Sequence, residues 1–520
     1  MTGRSAWLAL ACAGAMAFAD FRAREAWSDE LTGAGKMNLA DLAEEGDVHQ
    51  VRELLRHNAG INSPGHDGTA ALHWIVRLQD IETATQLLRA GADPNLPNRY
   101  GVRPLHIAIA QNDLAMVRLL LEAHADPASP DATGETCLMM AANEGRIGIV
   151  KALLEKGAPV DVRDPQYQQT ALMFAARNGH TEVAKLLIAH RADVNAQTPT
   201  GTVPRFRSPA SNAGSRGTGI IRGGWPERGS REPVPGAKSS LLYAAREGHL
   251  EMVQLLLSSG ANIEQADANG VTPLLMAIMN NQIPVAHLLI RKGADVKTPD
   301  WYGDTALWAA VDLRDIDVPG PNITDNGVDR AAAFGLIQEL LEAGADVNAR
   351  TKEYPPERRW ITPLGSIAWV DFTGQTAFLR AALSGDVEVM HLLLDHHADP
   401  NIPTFGGTTP LMAAAGVNWT YAQTYDEGPA KLLEAVKLAQ SLGNDVDAVN
   451  SMGICALHGA ANRGSDDIVR YLVQKGASLD VTDKQGRTAV TWAQGVFLAT
   501  NPPVAKPTTV ALLKQLRASR

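Results

Sequence analysis

The densest group of chemistry-bearing side chains in the sequence is Asp395-His396-His397, two imidazoles beside a carboxylate. Such groups could hold a divalent cation. Adjacent histidines at a helix end point apart, however, and no further ligand follows at metal spacing. The other histidines recur in register: His73, His106 and His458 share one slot, and His180 and His249 share another. Three cysteines are too few for a disulfide framework. No Gly-x-Ser-x-Gly, His-Glu-x-x-His or phosphate-cradling glycine loop occurs, and Gly223-Gly224 precedes no helix. Asn322-Ile323-Thr324 and Asn418-Trp419-Thr420 match the glycosylation acceptor pattern. The reading is a chain with no catalytic residue, no metal and no cofactor, acting by noncovalent contact. A hydrolase with an unrecognised site in the second half is the remoter alternative.

Composition narrows the class. The 520 residues carry 47 Lys plus Arg against 57 Asp plus Glu, a formal charge of −10. With 45% apolar and 20% charged residues the chain can bury cores, and it is neither disordered overall nor membrane-dominated. The acidic balance excludes a general nucleic-acid binder, because phosphate rewards positive charge. Aromatics are only 5% and the apolar content is rich in Leu and Ala, which favours stacked helices over sheets. At the start, Arg4 precedes the apolar run Ala6 to Ala19, and Ala17-Phe18-Ala19 forms a small-x-small cleavage pattern before Asp20. The expectation is a signal peptide over 1–19, a linker over 20–36, and an exported chain, periplasmic or secreted. An uncleaved anchor is the alternative, although the run is short for a membrane span.

The elements that would position any site come from internal self-similarity. Gly-Ala-Asp-like segments recur at Gly91-Ala92-Asp93, His124-Ala125-Asp126, Gly157-Ala158-Pro159, Arg191-Ala192-Asp193, Gly260-Ala261-Asn262 and Gly293-Ala294-Asp295, and again near 344, 397 and 476. Their alanines are 33, 33 and 34 residues apart from Ala92 to Ala192, and 33 apart from Ala261 to Ala294. Each is preceded by a leucine run, such as Val117 to Leu121, and by a Thr-Pro-Leu-His-like start, such as Thr272-Pro273-Leu274-Leu275 or Thr409-Pro410-Leu411-Met412. Thr caps the first helix, and Pro is tolerated in its first turn. Asn-Gly-His or Glu-Gly-His breaks the helix pair, and the second helix packs its leucines on a neighbour. One such unit cannot bury its apolar face alone, so the units must stack.

These motifs resemble those of the ankyrin-repeat family, and the resemblance covers nearly all of residues 37–520. It implies an all-α helix-turn-helix solenoid of about 11–12 repeats with short finger turns, the first and last repeats acting as caps. It also implies that the recurring histidines hydrogen-bond between units. Cys137 and Cys455 fall at small buried positions many repeats apart, so they are read as inert core thiols that cannot pair. The repeats form an N-terminal block over 37–197 and a C-terminal block over 239–520.

Four insertions interrupt the period. The first, 198–238, is rich in Gly, Pro and Ser and carries seven basic residues against Glu227 and Glu232. It reads as a surface loop able to contact a polyanion or an anionic surface. The others lie near 313–330, 351–373 and 416–429. By resemblance, 198–238 and 351–373 extend the finger edge and the other two leave the opposite edge. Thirteen aromatics, five of them Trp, lie between Trp301 and Tyr425, as interface anchors or as a satellite core folding the insertions down.

In repeats of this kind the residue after the recurring His slot faces the inner groove. That position reads Trp74, Ile107, Met140, Phe174, Tyr243 and Met276, then Ala309, Arg380, Ala413 and Gly459. Six large apolar side chains in succession would form an exposed stripe of the kind that marks a binding surface. The alternatives are a register error or self-covering by an insertion. The expected function is a non-enzymatic scaffold, monomeric, holding a protein or peptide partner through these six residues and Arg380, with no nucleic acid bound. Polyanion binding through 198–238 would betray itself by steep salt dependence.

Overall fold

A computed structural model describes residues 38–56, 60–65, 67–201, 235–316, 327–352, 373–419, 424–496 and 503–519. The signal-peptide and linker segments, 1–36, and the body of the basic insertion lie outside the described residues. The chain divides into two compact units, one ending at Ala196 and the other starting at Gln197. Among the described residues the regular structure is helical, with isolated bridges at Pro130/Thr136 and Gln197/Ser239. Among the described residues, twenty-four helices pair into twelve antiparallel hairpins, five in the first unit and seven in the second. No described helix is long and apolar enough to cross a membrane.

The first helix of each hairpin starts where the sequence places a cap. Thr170 Oγ1 accepts the Met173 N–H at 3.4 Å, Thr272 the Leu275 N–H at 3.3 Å, and Thr376 the Leu379 N–H at 3.2 Å. Pro104, Pro273 and Pro410 occupy the first turn, where a missing N–H costs nothing. Ala171–Asn178 ends at Gly179, whose φ of 75° lets the chain reverse at once into Thr181–Ala189. The second helices bury leucines at helical spacing, for example Val117 and Leu120, or Val253 and Leu256. Each fully buried side chain contributes on the order of 1.5–3 kcal/mol.

Between hairpins the chain makes a finger turn held by an Asp carboxylate or an Asn amide. Asp131 Oδ1 accepts the Thr133 and Glu135 N–H groups at 2.8 and 3.0 Å; Asp300 Oδ1 does the same for Tyr302 and Asp304 at 2.8 and 2.9 Å. Neighbouring fingers then bond backbone to backbone, as in Trp301 N–H to Asn269 O at 3.0 Å and Lys484 N–H to Met452 O at 2.9 Å. The recurring histidines tie hairpins together. His106 Nδ1 accepts the Arg103 N–H at 3.1 Å while Nε2 lies 3.2 Å from Ser129 O in the next repeat. His458 repeats the arrangement with Cys455 N–H and Arg487 O, both at 3.1 Å. Burial holds both imidazoles, and that of His73, below the usual histidine range, so they sit as neutral bridges.

Two insertions leave and re-enter through paired stems at the finger turns. Thr198 N–H donates to Lys238 O and Ala237 N–H to Thr198 O, at 3.0 and 2.8 Å. Thr351 N–H donates to Gln375 O and Gly374 N–H to Thr351 O, at 3.0 and 2.8 Å. The other two join the first and second helices of one hairpin, between Ala306–Arg314 and Arg330–Glu342 and between Pro410–Ala415 and Pro429–Ser441.

Candidate functional site

In the N-terminal unit the residues after the histidine slot lie on first helices packed side by side. Trp74 is on Ala71–Arg77, Ile107 on Pro104–Ala110, Met140 on Cys137–Asn143 and Phe174 on Ala171–Asn178. They are less exposed than the sequence suggested. Ile107 and Met140 are half-buried, while Trp74 and Phe174 retain 8% and 4% of their surface. The cause lies one turn further along the same helices. The Arg77 guanidinium sits 5.4 Å from the Trp74 ring centroid, and the Arg177 guanidinium 5.1 Å from that of Phe174. A helix brings residues i and i+3 onto one face, and a delocalised cation on an aromatic face shields the ring. The surface is therefore two half-exposed aliphatic side chains flanked by two arginine-capped rings. The arginines were not singled out in the sequence, although their i+3 spacing from Trp74 and Phe174 was the available signal.

In the C-terminal unit Tyr243 and Met276 hold the same position on Ser240–Glu247 and Pro273–Met279, and both are buried. The expectation of an exposed stripe is corrected further along. Arg380 is only 2% exposed and has no freedom to meet a partner. Its Nε donates to Asp312 Oδ1 at 2.7 Å, Nη1 to Ser384 Oγ at 2.8 Å and Nη2 to Asp315 O at 2.7 Å. A buried guanidinium is tolerable only when its donors are satisfied, and here they tie Ala377–Ser384 to Ala306–Arg314.

Around this pair lies a larger ionic cluster. Arg314 Nε donates to Asp386 Oδ2 at 2.6 Å and Nη2 to Glu388 Oε2 at 2.8 Å. Arg330 reaches the same Asp386 oxygen at 3.4 Å and also pairs with Glu427. Asp315 is fully enclosed, with the Arg330 guanidinium 3.7 Å from its carboxyl oxygen. Burial, reinforced by Asp386, pushes its carboxyl well above the usual carboxylate range. Arg463 is braced differently. Its terminal nitrogens reach Leu383 O and Ala414 O, both at 3.4 Å, near the ends of two first helices, where the carbonyl dipoles favour a cation. Burial pulls its guanidinium down to about 10.

Among the described residues, the other groups singled out in the sequence form no metal-binding cluster. His396 and His397 close the helix Val387–Asp395, and among the described residues no three metal-ligating groups converge. Cys137 and Cys455 are buried free thiols; burial pushes Cys137 up to about 12 and Cys455 above its usual value. Asn418 is 1% exposed, so this glycosylation acceptor is closed to a transferase in the folded chain. Asn322 lies outside the described residues. Of the clustered aromatics, Tyr302 and Trp308 are core, and Trp419 packs on Leu379, Leu383 and Ala413. Trp301 and Phe405 sit exposed at finger turns, with Arg350 stacked 4.3 Å from the Phe405 centroid. Tyr354, Trp360, Trp369, Phe372 and Tyr421 lie outside the described residues.

Comparison with known proteins matches this architecture. The profile described as "Ankyrin repeats (3 copies)" matches residues 39–131, 105–198, 241–318, 329–420 and 429–496. The chain is 34% identical over 148 residues to the inactive serine/threonine-protein kinase TEX14 of Bos taurus, covering 26% of this chain and 10% of that protein. It is 29% identical over 269 residues to the putative palmitoyltransferase ZDHHC13 of Danio rerio, covering 52% and 34% respectively. Both alignments leave most of the relative's length unmatched. Among solved structures, the ankyrin repeat domain of Bcl-3 aligns with 26% identity and a TM-score of 0.37, covering 47% of this chain and 95% of that one. Ankyrin repeats generally serve as protein–protein interaction modules, and with the family profile matched along both units this chain belongs to the ankyrin-repeat family.

Proposed function

We propose that the chain is a non-enzymatic scaffold that holds a protein or peptide partner against the first-helix face of its N-terminal unit, outside the cytoplasm. The supporting observation is the row Trp74, Ile107, Met140 and Phe174, where two aliphatic side chains stay half-exposed between two arginine-capped rings. A partner laid along this row would bury Ile107 and Met140 between the two arginine-capped rings. Anchors of aromatic and Arg type dominate interface energetics. A rigid, preformed face loses little entropy on binding. Export is proposed from the apolar run Ala6 to Ala19 and its small-x-small end.

The test is a paired capture from an exported fraction, using the mature chain and an Ile107→Glu, Met140→Glu double variant. Both positions are half-exposed, so the variant should keep its helical circular dichroism. Partners held by the first chain and lost by the second, with little sensitivity to salt, support the reading. Equal capture by both chains refutes it. Capture that collapses as salt rises and survives the double substitution transfers the function to the basic insertion.

A further inference from the structure

The first-helix face of the C-terminal unit is filled by the chain itself. Ala377–Ser384 and Pro410–Ala415 are buried on every side, whereas the N-terminal unit leaves Ile107 and Met140 half-exposed at the equivalent position. The covering atoms come from Gly416–Trp419 and Thr424–Glu427. Val417 lies so close to Ala456–Arg463 that a Cβ on Gly459 would stand 2.6 Å from its backbone nitrogen. Trp419 packs on Leu379, Leu383 and Ala413, with the Arg463 guanidinium 5.3 Å from its ring centroid. Tyr425 N–H donates to Asp315 O at 2.9 Å, and Glu427 N–H to Ser384 O at 3.2 Å. The Arg330 guanidinium stacks 4.0 Å from the Tyr425 centroid and pairs with the Glu427 carboxylate.

These are the contacts of a bound peptide: an aromatic anchor on an apolar seat, main-chain N–H groups on fixed carbonyls, and a carboxylate on an arginine. We infer that the first-helix face of the C-terminal unit is a second docking surface, fitted to a peptide bearing a Trp and, several residues on, an aromatic-x-acidic run, and that Gly416–Trp419 and Thr424–Glu427 occupy it as the chain's own ligand. This inference is independent of the N-terminal site. A tethered segment meets its seat at an effective concentration near the millimolar range, so a partner in trans competes only if it binds tightly or the tether is released. The seat explains why the position after the histidine slot turns small at Ala413 and Gly459: a larger side chain would expel the segment.

The experiment separates ligand from seat. In the full chain, residues 417–427 are replaced by a Gly/Ser linker of equal length. A fluorescein-labelled synthetic peptide with the sequence of residues 416–429 is then titrated and its anisotropy read. The expected result is saturable binding to the replaced chain and none to the wild type over the same range. Peptides carrying Trp419→Ala or Glu427→Gln should bind at least 10-fold more weakly. Absence of saturable binding to a replaced chain with wild-type circular dichroism overturns the inference, as does equal binding of the substituted peptides. Should the replaced chain not fold, the full chain carrying Trp419→Ala and Glu427→Gln is compared with wild type by hydrogen exchange. Faster exchange at Tyr425 and at position 427, whose N–H groups donate to Asp315 O and Ser384 O, with Ala377–Ser384 and Pro410–Ala415 still protected, is the outcome expected of a detachable ligand. Equal loss of protection in those helices makes the segment part of the core and overturns the inference.

Discussion

Replacing Arg380 by Met should destabilise the C-terminal unit by about 3–5 kcal/mol, the range found when one member of a buried ion pair is removed. The structure supplies the components. The charge-assisted bond to Asp312 is worth roughly 1.5–3 kcal/mol, and the bonds to Ser384 Oγ and Asp315 O about 1 kcal/mol each. Asp312 is left as a carboxylate with its Arg380 partner gone, at a position where its side chain is only 8% exposed. Because water is excluded, raising salt should change the loss little. Adding Asp312→Leu should recover at least half of it, since replacing a buried ion pair by apolar side chains of similar volume is often close to neutral. The assay is urea unfolding followed by circular dichroism. Hydrogen exchange on peptides from 306–314 and 377–384 accompanies it, because a repeat array need not unfold in one step. A loss below about 1 kcal/mol for Arg380→Met, or no recovery in the double variant, would refute the assignment of Arg380 as a buried strut and return it to the list of partner-facing residues.

Three further outcomes follow from the same physics. Gly459→Val places side-chain atoms where the Val417 backbone now lies, so exchange at Val417 should accelerate while the N-terminal unit keeps its wild-type protection. His73, His106 and His458 have folded-state values held below the unfolded one by burial, so the unfolded chain binds the extra protons; stability should fall as pH drops below about 6.5, and Gln at these positions should flatten that slope, read as melting temperature against pH. Asp300 has the opposite sign. Burial pushes its carboxyl up to about 7, so stability should fall as pH rises from the ordinary Asp range through that value, and Asp300→Asn, which can still accept the Tyr302 and Asp304 N–H bonds, should raise the melting temperature at pH 8 more than at pH 4.

The period, the caps and the leucine spacing were legible in the sequence because they are local devices. Thr170, Pro273 and Gly179 act within one turn of their own position, and Leu105 or Leu172 needs only helical periodicity to mark its buried side. The histidine slot was legible as a position recurring in the repeats, and its bond to the next repeat, Ser129 O for His106 and Arg487 O for His458, is what the family resemblance implied. Exposure at the groove position was not. It depends on what lies across the face, and the covering group is a neighbour at i+3 for Trp74 and Phe174 but residues of a hairpin far upstream, Asp312 and Asp315, for Arg380 and the Gly416–Val417 backbone for Gly459. Register says which way a side chain points; it carries no information about whether water or protein meets it there. The ionic cluster shows the same limit. Asp312, Arg380 and Asp386 are ordinary charges in the chain, and only stacking buries them, with Arg330 and Glu427 at the partly exposed rim; desolvation then turns surface residues into struts.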